Sequence, residues 1–284
     1  MDTMGEINTD VIEAESLSLP ANHPGREDIA YLRRRNMFFY VAREHRLRGV
    51  TPPKLPYTEE EATVWRATFN ELDELHQRAA ASIFLEGKRE LGLTAGLIPD
   101  LAELERILQP RTGVRLIPAE GLLHGKIYFK YWAERIMPCT LFLRHHVQPK
   151  YTPEPDIIHD VIGHVPPLMD PEYVGLIELI GRAAQKATPE QLEAIVRFYW
   201  FTVEFGLIRE AGEMKILGAG ILSSIGETEH VLSGKVEVRP FSVAAVTAQS
   251  FDTTVLQPVL FLGSSLDELV EGAREFVARL ELSD

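Results

Sequence analysis

The chain has 284 residues, of which 45% are hydrophobic and 25% are charged, as in an ordinary globular protein with a sizeable core. Its formal net charge of −13 excludes the classes that need clustered cations, so we expect no nucleic-acid or acidic-membrane partner. One cysteine, Cys139, excludes an intrachain disulfide. No apolar run approaches the about 20 residues of a membrane span, and the acidic N-terminus does not resemble a signal peptide. We therefore expect a cytoplasmic protein.

The helices predicted from the sequence begin and end at residues with recognisable capping chemistry. Residues 1–22 are polar and without period, which predicts a flexible tail. A helix is expected over residues 27–48, with Gly49 as its C-terminal stop. Further helices are predicted to begin after residues that cap an N-terminus well: Thr58, Asp100, Thr188 and Ser265. Each of these is followed three residues later by a glutamate or glutamine.

Short strands are predicted between these helices, and together they define the fold class. The segments 113–117, 236–238 and 258–262 have the composition of strands. Strands and helices do not alternate regularly, so a parallel βαβ architecture is not favoured. The sequence predicts a mainly α (α+β) fold, with helices around a small antiparallel sheet. Residues 23–284 are expected to form a single domain.

Two histidines lie in a segment whose chemistry points to a metal. His159 and His164 are five residues apart, and Pro166 and Pro167 end the segment. On an ideal helix this spacing subtends roughly 140° at 3.6 residues per turn. Both rings can therefore reach one metal ion only if the helix ends or distorts there. Gly163 and the two prolines make such a distortion plausible.

A carboxylate on a later helix completes a candidate ligand set. Glu204 lies in an apolar, aromatic run, one turn after Trp200. Burying an unpaired carboxylate there is costly, and a cation is the natural compensation. Two imidazoles and one carboxylate form a facial triad, which suits a non-haem iron(II) that must also bind dioxygen.

These residues belong to motifs that resemble the tetrahydropterin-dependent aromatic amino acid hydroxylases. The likeness covers roughly residues 20–280, in matching order and spacing. The motifs are PEPDIIHDVIGHVPPL at 153–168, YWFTVEFGL at 199–207, GAGILSSIGE at 218–227, HPG at 23–25 and LQP at 256–258. The resemblance implies a mainly helical basket around the iron and a bacterial member consisting of the catalytic domain only. Asp160 stands where the animal enzymes of this family carry glutamate.

The resemblance also implies a role for each matching residue. The implied iron ligands are His159, His164 and Glu204. The implied substrate-binding residues are Arg144, Thr152, Pro155, Trp200 and Ser223. The implied pterin-binding residues are Gly121, Leu122, Leu123, Tyr128 and Asp160. Asp160 is expected to contact the pterin side through water and is counted among the catalytic residues.

The function implied is a monooxygenase acting on a free aromatic amino acid, with iron(II), tetrahydropterin and dioxygen. Phenylalanine, converted to tyrosine, is the expected substrate. Tryptophan, or the meta position of phenylalanine, is the alternative within the class. The His159–Asp160 doublet leaves a metal-dependent hydrolase open, and a non-catalytic binding protein with this fold is a third possibility. We expect a small-molecule partner only, and a monomer or weak homodimer.

Overall fold

The structure is a computed structural model that describes residues 19, 23–49, 56–121, 123, 125–150, 152 and 154–282. Most of the tail predicted for residues 1–22 lies outside these residues. Leu19 is described, and its side chain is buried. The assignment of residues 23–284 to a single domain stays a prediction.

Helices dominate the described part of the chain, which agrees with the predicted class. The α-helices are α1 (Ile29–Arg48), α2 (Glu59–Ala79), α3 (Ser82–Glu90), α4 (Leu101–Thr112), α5 (Lys126–Ala133), α6 (Pro171–Lys186), α7 (Pro189–Tyr199), α8 (Ala219–Leu222), α9 (Ile225–Leu232), α10 (Val243–Ala248) and α11 (Leu266–Arg279). Two π-helices, Ile158–His164 and Trp200–Glu204, and a 3-10 helix, Pro166–Met169, lie between them. Among the described residues, no helix has both the length and the apolar character that crossing a bilayer requires.

The capping residues predicted from the sequence cap these helices. Their side chains accept a backbone N–H bond in the first turn: Thr58, Asp100, Thr188 and Ser265. At Thr58 and Thr188 the side chain three residues later also accepts the backbone N–H of the capping residue, which completes a capping box. Helix α1 ends at Gly49, which has the left-handed φ of 64° expected at this position.

The sheets correct one part of the predicted fold, because most of their strand pairs are parallel. The strands are β1 (Arg115–Pro118), β2 (Ile136–Cys139), β3 (Gly206–Glu210), β4 (Glu213–Ile216), β5 (Glu237–Pro240) and β6 (Val259–Gly263). One sheet has the order β4-β3-β6-β5, and only its β3–β4 pair is antiparallel. The other sheet is a parallel β1–β2 pair. The expected antiparallel sheet is therefore wrong: helices connect the paired strands, and a crossover of that kind brings a strand back in the same direction.

The first π-helix, Ile158–His164, runs through the interior of the molecule. Ile158, Val161 and Ile162 along it are fully buried. On its other side a Cβ atom added to Gly163 would lie 2.7 Å from the carbonyl oxygen of Ala219. Only glycine permits this close approach of helix α8, and the approach brings the residues after α8 against the histidines.

Candidate metal centre and substrate pocket

The helix distortion that the histidine spacing required is a π-helix. In a π-helix the hydrogen bonds join residues five apart, so a residue and its fifth neighbour share one face. His159 and His164 have this spacing within Ile158–His164. Their Nε2 atoms lie 3.2 Å apart, with the ring planes nearly perpendicular. The widened turn thus directs both imidazoles at one point.

Glu204 ends the second π-helix and joins the two imidazoles. Its Oε1 lies 3.2 Å from Nε2 of His164, and its Oε2 lies 3.8 Å from Nε2 of His159. One ligand atom from each residue can be chosen so that all three lie within 4.8 Å of one another. Ligands about 2.1 Å from a metal and at right angles to each other are about 3 Å apart. The donor set and its spacing therefore fit a facially coordinated iron(II).

Ser223 fixes the orientation and the tautomer of His159. Its hydroxyl lies 2.8 Å from the carbonyl oxygen of Ala219 and 2.9 Å from Nδ1 of His159. A serine has one hydroxyl hydrogen, which it donates to the carbonyl, so it accepts from Nδ1–H. The lone pair of His159 is then on Nε2, the atom that points to His164 and Glu204. Ligand imidazoles in metal sites are commonly held in this way through their second nitrogen.

The charges of the triad suit a divalent cation. Burial opposes ionisation of Glu204, but the neighbouring His164 and His159 outweigh it and lower the pKa of the carboxyl to about 2. Burial lowers the pKa of His159 to about 4, against the attraction of Glu204. Burial also works against protonation of His164, but Glu204 outweighs it and raises the pKa of this ring. At neutral pH the site therefore offers an ionised carboxylate and a neutral His159, which are the forms that bind metal.

Asp160 follows the ligand His159 in sequence, and its carboxylate binds Thr140. Its Oδ2 accepts hydrogen bonds from the backbone N–H of Thr140 at 2.7 Å and from the Thr140 hydroxyl at 2.8 Å. Burial raises the pKa of Asp160 to about 7, and the bonds from Thr140 oppose the shift. Asp160 thus joins the first π-helix to Thr140, the residue that follows β2.

Arg144 is held by a carboxylate that the sequence reasoning did not single out. Its Nε and one Nη donate to both oxygens of Asp156, at 2.9 Å and 2.8 Å. Asp156 also accepts the backbone N–H of His159 at 3.0 Å. Burial opposes ionisation of Asp156, and the Arg144 guanidinium reverses this and lowers its pKa. An aspartate three residues before His159 is a possible capping residue, and that position was the available signal.

The loop before the first π-helix carries Thr152 and Pro155. The Thr152 hydroxyl donates to the carbonyl oxygen of Glu154 at 2.8 Å and so closes a tight turn. Arg35 of α1 anchors this turn with two bonds to the Glu154 carboxylate, at 2.6 Å and 2.8 Å. Pro155 is half-buried. This loop is therefore attached to helix α1.

Trp200 begins the second π-helix and lies in an aromatic stack. Its ring lies 4.5 Å from that of Phe205 and 4.1 Å from that of Phe251, the latter pair nearly parallel. Its indole N–H donates to the Gln257 side chain at 3.2 Å. Phe251 and Gln257 were not predicted as site residues. The LQP motif around Gln257 was the only sequence signal for this contact.

Comparison with known proteins identifies the family. A model of the biopterin-dependent aromatic amino acid hydroxylases matches residues 2–283. The chain belongs to this family. Bovine phenylalanine-4-hydroxylase is 37% identical over 266 residues, which cover 92% of this chain and 59% of the bovine protein. Rat tyrosine 3-monooxygenase is 36% identical over 267 residues, which cover 93% of this chain and 53% of the rat protein. The chain thus spans less than two thirds of these relatives.

A solved structure extends the comparison to fold and cofactors. Phenylalanine hydroxylase of Chromobacterium violaceum, with bound iron(III) and 7,8-dihydrobiopterin, matches with a TM-score of 0.74 at 32% identity. The match covers 79% of this chain and 83% of that one. The predicted family, its enzyme class, the helical fold, and iron and pterin as cofactors are confirmed. The hydrolase alternative is wrong, because this family carries out hydroxylation.

The residues expected to bind pterin are described in part. Gly121 has a φ of 105°, a left-handed backbone conformation that favours glycine. Leu123 is half-buried, and Leu122 lies outside the described residues. The hydroxyl of Tyr128 lies 2.8 Å from that of Tyr199, which directly precedes the second π-helix. Tyr128 therefore reaches the metal centre through Tyr199, a residue that was not predicted to be functional.

Proposed function

We propose that this chain hydroxylates the ring of a free aromatic amino acid and that phenylalanine, converted to tyrosine, is its main substrate. The observation that carries the proposal is the convergence of His159, His164 and Glu204 in a chain that belongs to the hydroxylase family. These three residues would hold iron(II), and Gly121, Leu122, Leu123, Tyr128 and Asp160 would border the tetrahydropterin. Iron and pterin together supply the activation of dioxygen.

Arg144 would bind the substrate carboxylate. A guanidinium has five N–H donors, and Asp156 occupies only two of them in short bonds. Asp156 therefore fixes the plane of the fork. The carbonyl oxygens of Pro149 and Ser223 accept longer bonds of 3.3 Å and 3.5 Å from the Nη atoms of Arg144, and a substrate carboxylate would compete for these donors. Thr152, on the loop anchored through Glu154, would position the substrate amino group. Because Asp156 also bonds the backbone of His159, this arrangement sets the amino acid at a fixed distance from the metal.

Trp200 and Pro155 would bind the substrate ring. Phe205 and Phe251 stack against Trp200, with ring centroids 4.5 Å and 4.1 Å away, and hold its indole in place. An aromatic wall of this kind suits an aromatic substrate ring. The bacterial relative of similar structure is a phenylalanine hydroxylase. Tryptophan, or the meta position of phenylalanine, is the alternative outcome.

One product analysis tests the proposal. The purified protein is supplied with iron(II), tetrahydropterin and dioxygen, and with phenylalanine, tyrosine or tryptophan in separate reactions. Tyrosine from phenylalanine is the expected main product. meta-Tyrosine or hydroxytryptophan as the main product would revise the substrate or the ring position. No hydroxylated product from any of the three would overturn the function and favour a binding protein.

A matched pair of variants links the activity to the site. Glu204→Gln keeps the size of the side chain but removes the charge that a cation needs, so we expect hydroxylation to be lost. Glu193→Gln makes the same change on α7, where the side chain is 74% exposed, and should retain full activity.

We also propose that the protein is cytoplasmic, that it is a monomer or weak homodimer, and that its partners are small molecules only. Light scattering of the purified protein tests the oligomeric state.

A further inference from the structure

A buried lysine and a buried histidine form a polar pair between α2 and α3. Lys88 is 5% exposed, and its Nζ lies 2.6 Å from Asp73 and 3.1 Å from Nδ1 of His76. An ammonium group only donates, so Nδ1 of His76 accepts. The other ring nitrogen, Nε2, therefore carries the hydrogen and donates to the carbonyl oxygen of Leu222 at 2.7 Å.

Burial and charge keep this arrangement in one protonation state. Burial lowers the pKa of His76 to about 3, and the charge of Lys88 contributes in the same direction. The ring is therefore neutral at physiological pH, with its hydrogen on the nitrogen that faces Leu222. Burial also lowers the pKa of Lys88, while Asp73 opposes the shift. Burying an ammonium group is unfavourable unless its partners compensate, so the contacts with Asp73 and His76 are needed to keep Lys88 in the core.

The carbonyl that His76 binds lies next to the metal centre. Leu222 is the last residue of α8, and the next residue, Ser223, accepts the Nδ1–H bond of His159. Ser223 also bonds back to Ala219, so its hydroxyl position depends on where α8 ends. The bond from His76 holds the final carbonyl of α8, a group that has no partner inside its own helix. A continuous chain of hydrogen bonds and backbone thus runs from Lys88 to His159.

We propose that Lys88 and His76 are positioning residues for the metal centre, acting through Leu222 and Ser223 on the orientation of His159. The inference rests on the proposed role of His159 as an iron ligand. Asp73 holds the ammonium group, the ammonium group sets the tautomer of His76, and His76 fixes the end of α8. Without this support the Ser223 hydroxyl loses its place, and the His159 ring is free to turn away from His164 and Glu204.

Metal affinity provides the first test, with cobalt(II) titrated into the metal-free protein. Lys88→Met keeps the apolar stem but removes the donor and the charge, and it should weaken cobalt binding about tenfold, as loss of outer partners does in metal sites. Ser223→Ala should weaken it by a similar factor. Because both changes act through one contact, Lys88→Met should add nothing in the Ser223→Ala background.

A second pair of variants separates the hydrogen bond from packing. His76→Leu removes the donor to Leu222 and should reduce cobalt affinity like Lys88→Met. His76→Gln retains an amide N–H that can reach the same carbonyl, so it should restore most of the affinity. Leu108→Ala opens a cavity at a fully buried side chain of α4 that has no part in these hydrogen bonds. It should lower the melting temperature and leave cobalt affinity unchanged. If Lys88→Met does not fold, the His76 pair decides the question alone.

Heteronuclear NMR of the metal-free protein reports the tautomer of His159 independently of any metal. The wild-type ring should show the Nδ1–H form, and Lys88→Met and His76→Leu should show a mixture of both tautomers. Unchanged cobalt affinity and an unchanged tautomer in folded variants would overturn the proposal. Additive losses in the Lys88→Met, Ser223→Ala double variant would also overturn it. If the wild type binds no cobalt, the metal-site assignment fails, and the NMR result still decides the role of Lys88 and His76.

Discussion

The two π-helices place ligands with the same widened turn but are stabilised by different surroundings. The first, Ile158–His164, packs in the core through its aliphatic side chains, and polar contacts orient the ligand His159. Asp156 binds the backbone N–H of His159, and Ser223 binds the ring of the same residue. Because hydrogen bonds are directional, these contacts fix how an imidazole is turned as well as where it lies.

The second π-helix, Trp200–Glu204, is held mainly by aromatic packing. Its wide turn closes with a 2.7 Å bond from the N–H of Phe205 to the carbonyl oxygen of Trp200. Phe205 and Phe251 then stack against Trp200, with ring centroids 4.5 Å and 4.1 Å away. Packing fixes the position of this π-helix, and the imidazoles and the Tyr199 side chain orient Glu204. Polar substitutions near the first π-helix should therefore change metal binding, and those near the second should change substrate binding.

Removing a ligand from the first π-helix should have the largest effect. His164→Ala deletes one of three ligands, and we expect cobalt or iron(II) affinity to fall at least about 100-fold and hydroxylation to disappear. Isothermal titration measures the affinity. His146→Ala is the matched control, because that side chain is 41% exposed, and it should bind metal like the wild type. Equal affinity in His164→Ala would contradict the facial triad.

A smaller loss of metal affinity is expected when the close contact between Gly163 and Ala219 is disrupted. In Gly163→Ala the new Cβ would lie 2.7 Å from the carbonyl oxygen of Ala219, so α8 must move and Ser223 with it. Overpacking of this kind costs about 1–3 kcal/mol of unfolding free energy. Metal affinity should fall about tenfold.

Gly175→Ala is the control for that change. A Cβ at this position on α6 meets no atom within 4 Å, so the variant should keep its metal affinity and be slightly more stable. Thermal unfolding and metal titration of both variants give the comparison. Equal behaviour of the two would show that the contact with α8 has no part in the metal centre.

Near the second π-helix, Trp200–Glu204, a substitution is expected to change substrate binding. Gln257→Leu removes the acceptor of the Trp200 indole and two donors to the loop carbonyls of Asp252 and Val255. Each lost bond is worth about 1 kcal/mol, so KM for phenylalanine should rise about tenfold with metal affinity unchanged. Gln185→Leu, on the exposed face of α6, should leave KM unchanged. A fall in metal affinity in Gln257→Leu would contradict the expectation that substitutions near the second π-helix change substrate binding alone.

The smallest effect on metal and substrate binding is expected from Glu227, a buried carboxyl that accepts the backbone N–H of Gln257. Burial raises the pKa of Glu227 to about 7, against the bond it accepts from the Gln257 N–H. A raised pKa means that its contribution to stability is complete below pH 4.5 and is lost as pH rises through 7. The wild type should therefore lose on the order of 2 kcal/mol of unfolding free energy across this window.

Denaturant unfolding of the metal-free protein between pH 4.5 and 8 measures this slope. In Glu227→Gln the acceptor for Gln257 remains but the titration is absent, so the slope should be shallower than in the wild type. Metal affinity at pH 7 should not change. An equal slope in both proteins would mean that Glu227 is ionised in the folded state over the whole range.

Sequence reasoning succeeded where the cause of a feature is local. The capping boxes at Thr58 and Thr188 depend on two residues three apart, and the structure has both. The spacing of His159 and His164 conflicted with an ideal α-helix, and the conflict itself indicated the distortion that the π-helix provides. The ligand triad could be assembled because each member lies in a distinctive motif.

Features that depend on distant partners were missed. The strand directions in the sheet of β3, β5 and β6 depend on the 48 residues between β3 and β6 and the 18 residues between β5 and β6. Alternation in a short strand says nothing about them. Gln257 contacts Trp200 across 57 positions of sequence. His76 contacts Leu222 across 146 positions. No local pattern encodes such pairs, so only the folded chain brings them together.

The aromatic stack on Trp200 gives the protein a built-in optical probe. The chain has three tryptophans, and two of them, Trp65 and Trp132, are almost completely buried. Trp200 is half-buried and stacks against Phe205 and Phe251 at the proposed substrate wall. Its emission is therefore the one most sensitive to solvent, so a ligand that displaces water from this wall should shift the fluorescence spectrum to shorter wavelength without any added label.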